Sequence, residues 1–123
     1  MTKILIVDDA AFMRRLSQQI LQSVGYEVVC AADGQEGLEQ VRAEKPDLVI
    51  MDWNMPRMDG LEAIRALRAD PATRSLPVLV ASASSQDEDI AEMEAAGASG
   101  HVPKPFQTKQ LLSAIWQYIE RNT

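Results

Sequence analysis

Pro46-Asp47-Leu48-Val49-Ile50-Met51-Asp52-Trp53-Asn54-Met55-Pro56-Arg57-Met58-Asp59-Gly60 is the stretch on which the fold turns. Leu48 to Met51 form a short, unbroken apolar run with two β-branched members, the pattern of a strand buried on both faces of a parallel sheet, and Asp52 ends it abruptly. A carboxylate is therefore expected at the carboxyl end of a central strand. Open α/β sheets place their ligand sites at that end, and Asn54, Pro56 and Gly60 bend the chain into a loop around it. Asp52 is the expected chemical centre.

Working outward, Lys3 to Val7 is a second continuous apolar strand that ends in two carboxylates, Asp8 and Asp9. Ala10 and Ala11 open a helix whose expected inner stripe is Phe12, Leu16 and Ile20, widened by Met13 and Val24, with Arg14, Arg15, Gln18, Gln19 and Gln22 outward and Gly25 as the stop. Tyr26 to Ala31 reads as a strand. Asp33-Gly34 turns into a weak helix with contacts at Leu38 and Val41. Beyond the central loop, Leu61, Ile64 and Leu67 line a helix ending near Asp70-Pro71. Pro77 to Ala81 is another buried strand, closing on Ser82. Residues 86–96 form a helix with Ile90 and Met93 inside, ended by Gly97. Gly100 to Pro103 is a short strand that belongs at a sheet edge, because Pro103 lacks the ladder donor an interior strand needs. Thr108 caps a last helix with Leu111, Leu112, Ile115, Trp116 and Ile119 on its inner face. Five strands alternating with five helices imply right-handed crossovers and a doubly wound parallel sheet of α/β class, covered on both faces.

At 123 residues and 46% apolar content the chain suits one domain, 1–123, able to bury a core of its own. A net charge of −6 argues against a nucleic-acid surface, which needs clustered Lys and Arg. Cys30 is the one cysteine, so no intramolecular disulfide is expected; it reads as a small buried hydrophobe. The apolar run after Lys3 is too short for a signal peptide, and none approaches membrane-spanning length. A soluble cytoplasmic protein is expected.

The strand ends deliver Asp8 and Asp9, Asp52, Ser82 and Lys104 to one rim. Taken singly, each has a plainer reading: Asp8 and Asp9 as helix N-caps, Asp52 as a turn residue, Ser82 as a strand-end hydroxyl, Lys104 as a solvated charge. Their joint arrival at the carboxyl ends of the central strands favours a site. Three carboxylates brought together repel one another unless a cation joins them, and all-oxygen ligands without His or Cys favour Mg²⁺. Lys104 suits a phosphoryl oxygen and Ser82 offers a hydroxyl donor. The reaction this set supports is in-line attack of Asp52 on a phosphoryl group to give an acyl phosphate.

Asp8-Asp9, Asp52 followed by Trp-Asn-Met-Pro and Met-Asp-Gly, Ser82-Ala83 and Lys104-Pro105-Phe106, in that order and spacing, resemble the receiver domain of two-component response regulators over the whole chain. Phe12-Met13-Arg14-Arg15 and Asp52-Trp53-Asn54-Met55-Pro56 bring it nearest to the single-domain chemotaxis regulators. The resemblance implies a flavodoxin-like (βα)5 sheet of strand order 2-1-3-4-5. It implies that Asp52 is the phosphoacceptor for a phosphohistidine on a sensor kinase or phosphotransfer protein. Asp9, Asp52 and the Asn54 carbonyl would bind Mg²⁺ directly and Asp8 through water. Lys104 would contact the phosphoryl group across a cis bond to Pro105. Ser82 and His101 would form the switch, His101 standing where Tyr or Phe is common. Asn54 and Ser84 lie where the family tunes acyl-phosphate lifetime. A monomer is expected, with output through a protein bound to the fourth helix, last strand and last helix.

Two other functions fit parts of the sequence. An adaptor that works unphosphorylated would not need the complete set of Asp8, Asp9, Asp52, Ser82 and Lys104. An aspartyl-phosphate phosphatase would need a second acid two residues after the nucleophile, where this chain has Asn54. A flavin or nucleotide binder is disfavoured because the loop after the first strand is acidic and lacks glycine.

Overall fold

The computed structural model describes residues 2–53, 60–83, 86–104 and 107–119. Five strands, β1 (Lys3–Val7), β2 (Glu27–Ala31), β3 (Leu48–Asp52), β4 (Val78–Ser82) and β5 (Gly100–Pro103), form one sheet in the order β2-β1-β3-β4-β5. Every pairing is parallel. The helices α1 (Ala11–Ser23), α2 (Gly34–Glu44), α3 (Gly60–Ala69), α4 (Asp87–Ala96) and α5 (Thr108–Ile119) alternate with the strands. The doubly wound sheet and its strand order are as expected from the sequence. No helix among the described residues is long and apolar enough to cross a membrane.

The unbroken apolar strands resolve into two alternating sets. Leu5, Val7, Val49, Met51, Val78 and Val80 face one way, joining Leu38, Val41, Ile64, Leu67 and Met93 under α2, α3 and α4. Ile4, Ile6, Leu48, Ile50, Leu79 and Val102 face the other, against Leu21, Leu111, Ile115 and Ile119 of α1 and α5. Period-two alternation with both faces covered is why β1, β3 and β4 carry no polar residue between their ends.

Register sets the site. Val7 pairs with Met51, Asp52 with Ala81 and Ser82 with Pro103, so the residues that end β1, β3, β4 and β5 emerge along one rim. The strand order reverses between β1 and β3, and the crevice outside the carboxyl ends at such a point is where doubly wound sheets bind ligands.

The helix faces differ from expectation at several positions. Phe12 is 73% exposed, Val24 46% and Trp116 48%, and Leu16 is also exposed. The inner face of α1 is Ser17 and Leu21, while Arg14 and Gln18, expected outward, are half-buried. The cause is geometric. At about 100° per residue Phe12 and Leu16 lie about 140° and 100° around the helix from Ser17, outside the inner arc, whereas Ile20, about 60° away, packs against the core. On α5, Leu111, Ile115 and Ile119 occupy the inner arc and leave Trp116 outside it. Thr108 is the first helical residue rather than the cap, and Gln107 precedes it, its carbonyl accepting from the Leu111 N–H. Cys30 is half-buried, its Sγ 3.9 Å from Gln18 Oε1, not enclosed as a core hydrophobe would be. Pro103 does lie on an edge strand, and the ladder resumes after it through the Lys104 N–H to the Ser82 carbonyl at 2.8 Å.

Candidate functional site

The carboxylate oxygens of Asp8, Asp9 and Asp52 all lie within 4.8 Å of one another. Asp8 follows β1, fixed by its N–H to the Ala31 carbonyl, and its Oδ1 accepts the Ala10 N–H at 2.9 Å just before α1 begins. Neither aspartate is the N-cap of α1: that position is Ala10, with no side-chain cap, and Asp8 Oδ1 only shapes the turn before it while Oδ2 faces the site. Asp9 is exposed on the rim, and Asp52 is buried at the end of β3.

Lys104 closes the arrangement from β5. Its Nζ sits 2.8 Å from Asp8 Oδ2 and 3.1 Å from Asp52 Oδ1, with only 18% of its side chain exposed. The sequence aimed this lysine at a phosphoryl oxygen; in the structure the ammonium bridges two of the three carboxylates. Burial works against the Lys104 charge, but its hydrogen bonds and proximity to Asp8 and Asp52 outweigh that and raise its pKa. Asp52 is shifted in the less usual direction for a carboxylate beside a lysine. Burial, with the Asp8 charge and a hydrogen bond to Asp9 adding to it, prevails over Lys104 and raises the Asp52 pKa from 3.8 to about 6.

Ser82 is buried at the end of β4, and its carbonyl holds Lys104 through the backbone. His101, on β5 opposite Val80, is half-buried, and its Nε2 is enclosed without a hydrogen-bond partner among the described residues. Asn54, Ser84, Pro105 and Phe106, and with them the Asn54 ligand and the Lys104–Pro105 bond, lie outside the described residues, as do Met55, Pro56 and Met58. Trp53 is half-buried against the core under α3.

Two site residues escaped the sequence reading. Arg14 reaches back from α1 to donate through Nη1 to the Asp8 carbonyl at 2.6 Å, holding the acidic turn; its place after Phe12-Met13 suggested only a solvated charge. Gly60 was read as a bend, but it does more. Its N–H donates to the Trp53 carbonyl at 3.1 Å, and a Cβ there would stand 2.8 Å from the Asp52 carbonyl and 3.0 Å from Trp53 Cα. The start of α3 can approach β3 this closely only without a side chain.

Three carboxylates and one ammonium leave two negative charges when all are ionised, which a divalent cation would balance. Around an octahedral ion with ligands at about 2.1 Å, neighbouring oxygens are about 3 Å apart and opposite ones about 4.2 Å. Oxygens spread over as much as 4.8 Å therefore suit a hard cation bound directly by one or two carboxylates, the other acting through water. The donor set fits Mg²⁺ and offers no nitrogen or sulfur to a softer metal.

Comparison with known proteins agrees with this geometry. The chain is 39% identical over 120 residues to the chemotaxis protein CheY of Pseudomonas aeruginosa, covering 97% of each chain. It is 38% identical to the chemotaxis protein CheY-3 of Vibrio cholerae, covering 97% of this chain and 92% of that one. Its fold superposes on the crystal structure of the V. cholerae chemotaxis protein CheY4 with a TM-score of 0.92 at 36% identity, over 97% and 99% of the two chains. A putative response regulator from Chloroflexus aurantiacus gives a TM-score of 0.93 at 32% identity over 98% of both. Residues 4–116 match the response regulator receiver domain, and the chain belongs to that family.

Proposed function

We propose that this receiver domain is a phosphorylation-dependent signalling switch in which Asp52 takes a phosphoryl group from a phosphohistidine on a sensor kinase or phosphotransfer protein. The observation that carries the reading is the Lys104 ammonium, bonded at once to Asp8 and Asp52 at the crevice between β1 and β3. An Asp52 oxygen attacks phosphorus, the O–P bond forms as the P–N bond breaks, and the electron pair stays on the departing imidazole nitrogen. With a pKa of about 6 the Asp52 carboxylate is mostly ionised at neutral pH and free to attack. Asp8, Asp9 and Asp52, with the Asn54 carbonyl, would hold Mg²⁺, which when bound supplies charge neutralisation to the phosphoryl oxygens. Lys104 and the Ser82 hydroxyl then bind those oxygens. Lys104 must shift its attention from Asp8 toward the phosphoryl group, and this rearrangement at the ends of β4 and β5 is transmitted to the surface formed by α4, β5 and α5.

His101 on that surface turns with Ser82, and a partner protein reads the change. Since the similar proteins above are chemotaxis proteins, the regulated process is proposed to be motility, in the cytoplasm and with the chain acting as a monomer. The chain catalyses only its own phosphotransfer and the hydrolysis of its own acyl phosphate.

Incubation with acetyl phosphate, followed by intact mass, tests the reading. A labile gain of one phosphate that needs both Mg²⁺ and Asp52 is expected. A gain in Asp52→Asn equal to the wild type, or one indifferent to chelator, would contradict it.

A further inference from the structure

At the amino end of β3 and β4, the end of the sheet opposite the aspartates, a cleft of about 450 Å³ opens between the end of α2 and the segment joining α3 to β4. Val41, Pro46, Ala72 and Leu76 give it an apolar floor, and Arg42 and Lys45 stand at its edge with no carboxylate among the lining residues. Neither cation's side chain enters an ion pair or hydrogen bond among the described residues, although the protein as a whole carries a net charge of −6. Cations at the end of a helix are expected on dipole grounds alone. The helix dipole does not explain the apolar lining beside them, to which Ala72 and Leu76 give the accessible part and buried Val41 and Pro46 the base.

Both walls of the cleft are already built. Lys45 is held in the left-handed region at φ 48°, its N–H on the Val41 carbonyl, which makes it the one non-glycine residue of positive φ among the described residues. The facing wall is pinned from beneath by Arg68, whose guanidinium donates to the carbonyls of Thr73, Arg74 and Leu76, and Thr73 Oγ1 donates to the Leu67 carbonyl at 2.6 Å. A ligand entering here would not have to order either wall, which is the usual condition of a small-molecule site.

We infer that this cleft binds a small amphiphilic monoanion, a carboxylate bearing a short aliphatic or aromatic body, with the body on Val41, Pro46 and Leu76 and the carboxylate between Arg42 and Lys45. The cleft lies a full strand length from Asp52, so the ligand is not a phosphodonor. It is a second site on the domain.

NMR titration of the full chain with hexanoate tests this. Saturable amide shifts confined to residues 41–46 and 72–76 are expected. Acetate, which lacks the apolar body, and hexanol, which lacks the charge, should bind at least about tenfold more weakly. The double variant Arg42→Gln/Lys45→Gln should lose about the same factor, since both positions are exposed and outside the core. Ala72→Phe, which fills the cleft and keeps both cations, should abolish the shifts. Hexanol binding as tightly as hexanoate, shifts spread over other basic surfaces, no saturable shift, or unchanged binding in Ala72→Phe would each overturn the proposal.

Discussion

Lys104 Nζ lies 3.1 Å from Asp52 Oδ1, yet the Asp52 pKa is raised rather than lowered, because burial and the neighbouring carboxylates outweigh the lysine. Lys104 is therefore what keeps Asp52 ionisable near neutral pH. Lys104→Ala should fold, retain Mg²⁺ binding and lose the conformational response to phosphorylation. It should also move the Asp52 pKa above 6, read by carboxyl ¹³C NMR in metal-free buffer. An unchanged Asp52 titration would contradict the assignment of Lys104 as the group that opposes the upward shift.

The same shift gives a pH dependence. Folded Asp52 holds its proton up to about pH 6, whereas the unfolded chain releases it near 3.8. The stability this adds is present below 3.8 and is lost as pH rises through 6, so ionised Asp52 destabilises the metal-free protein at pH 7. Asp52→Asn should raise the melting temperature at pH 7 by roughly several degrees, and the gain should shrink toward pH 4. Equal melting temperatures at pH 7 would contradict it.

Mg²⁺ must displace that proton. Its affinity, followed by Trp53 fluorescence or calorimetry, should be level above pH 7 and fall toward about tenfold per unit below pH 6. Affinity independent of pH between 5 and 7 would remove Asp52 from the ligand set.

Gly60→Ala places a methyl 2.8 Å from the Asp52 carbonyl, where only backbone movement can relieve the clash. A loss of about 1–3 kcal/mol in urea unfolding is expected, together with slower phosphorylation. Arg68→Met tests the far end of the sheet. It removes the Arg68 donor from the carbonyls of Leu76 and Gly97 and should cost about 2–4 kcal/mol while Mg²⁺ affinity stays unchanged.

Much of the fold was legible because burial on both faces writes itself into the strands: Leu48–Met51 and Lys3–Val7 have no polar interruption, and carboxylates mark where they end. The rim was legible for the same reason, since parallel strands put all their carboxyl ends on one side. The helices were less so. The four-residue repeat of Phe12, Leu16 and Ile20 suggests an inner stripe in α1, but the inner face pairs polar Ser17 with Leu21, and Arg14 is drawn inward by the Asp8 carbonyl, a contact that no periodicity encodes. Size and apolarity alone point Trp116 inward, yet it is 48% exposed. Trp116→Ser should therefore cost less than about 1 kcal/mol, against about 2–5 kcal/mol for Ile115→Ala one residue away. The Lys104 bridge to Asp8 was illegible because it spans 96 residues and depends on strand register.

Asp52 itself is the residue proposed to carry the phosphoryl group. Acetyl phosphate treatment with Mg²⁺, borohydride reduction of the acyl phosphate and tandem mass spectrometry of the peptides would locate it. Reduction at residue 52 is expected, absent when Mg²⁺ is chelated and absent in Asp52→Asn. Reduction at Asp8 or Asp9 in the wild-type protein, with residue 52 untouched, would contradict it.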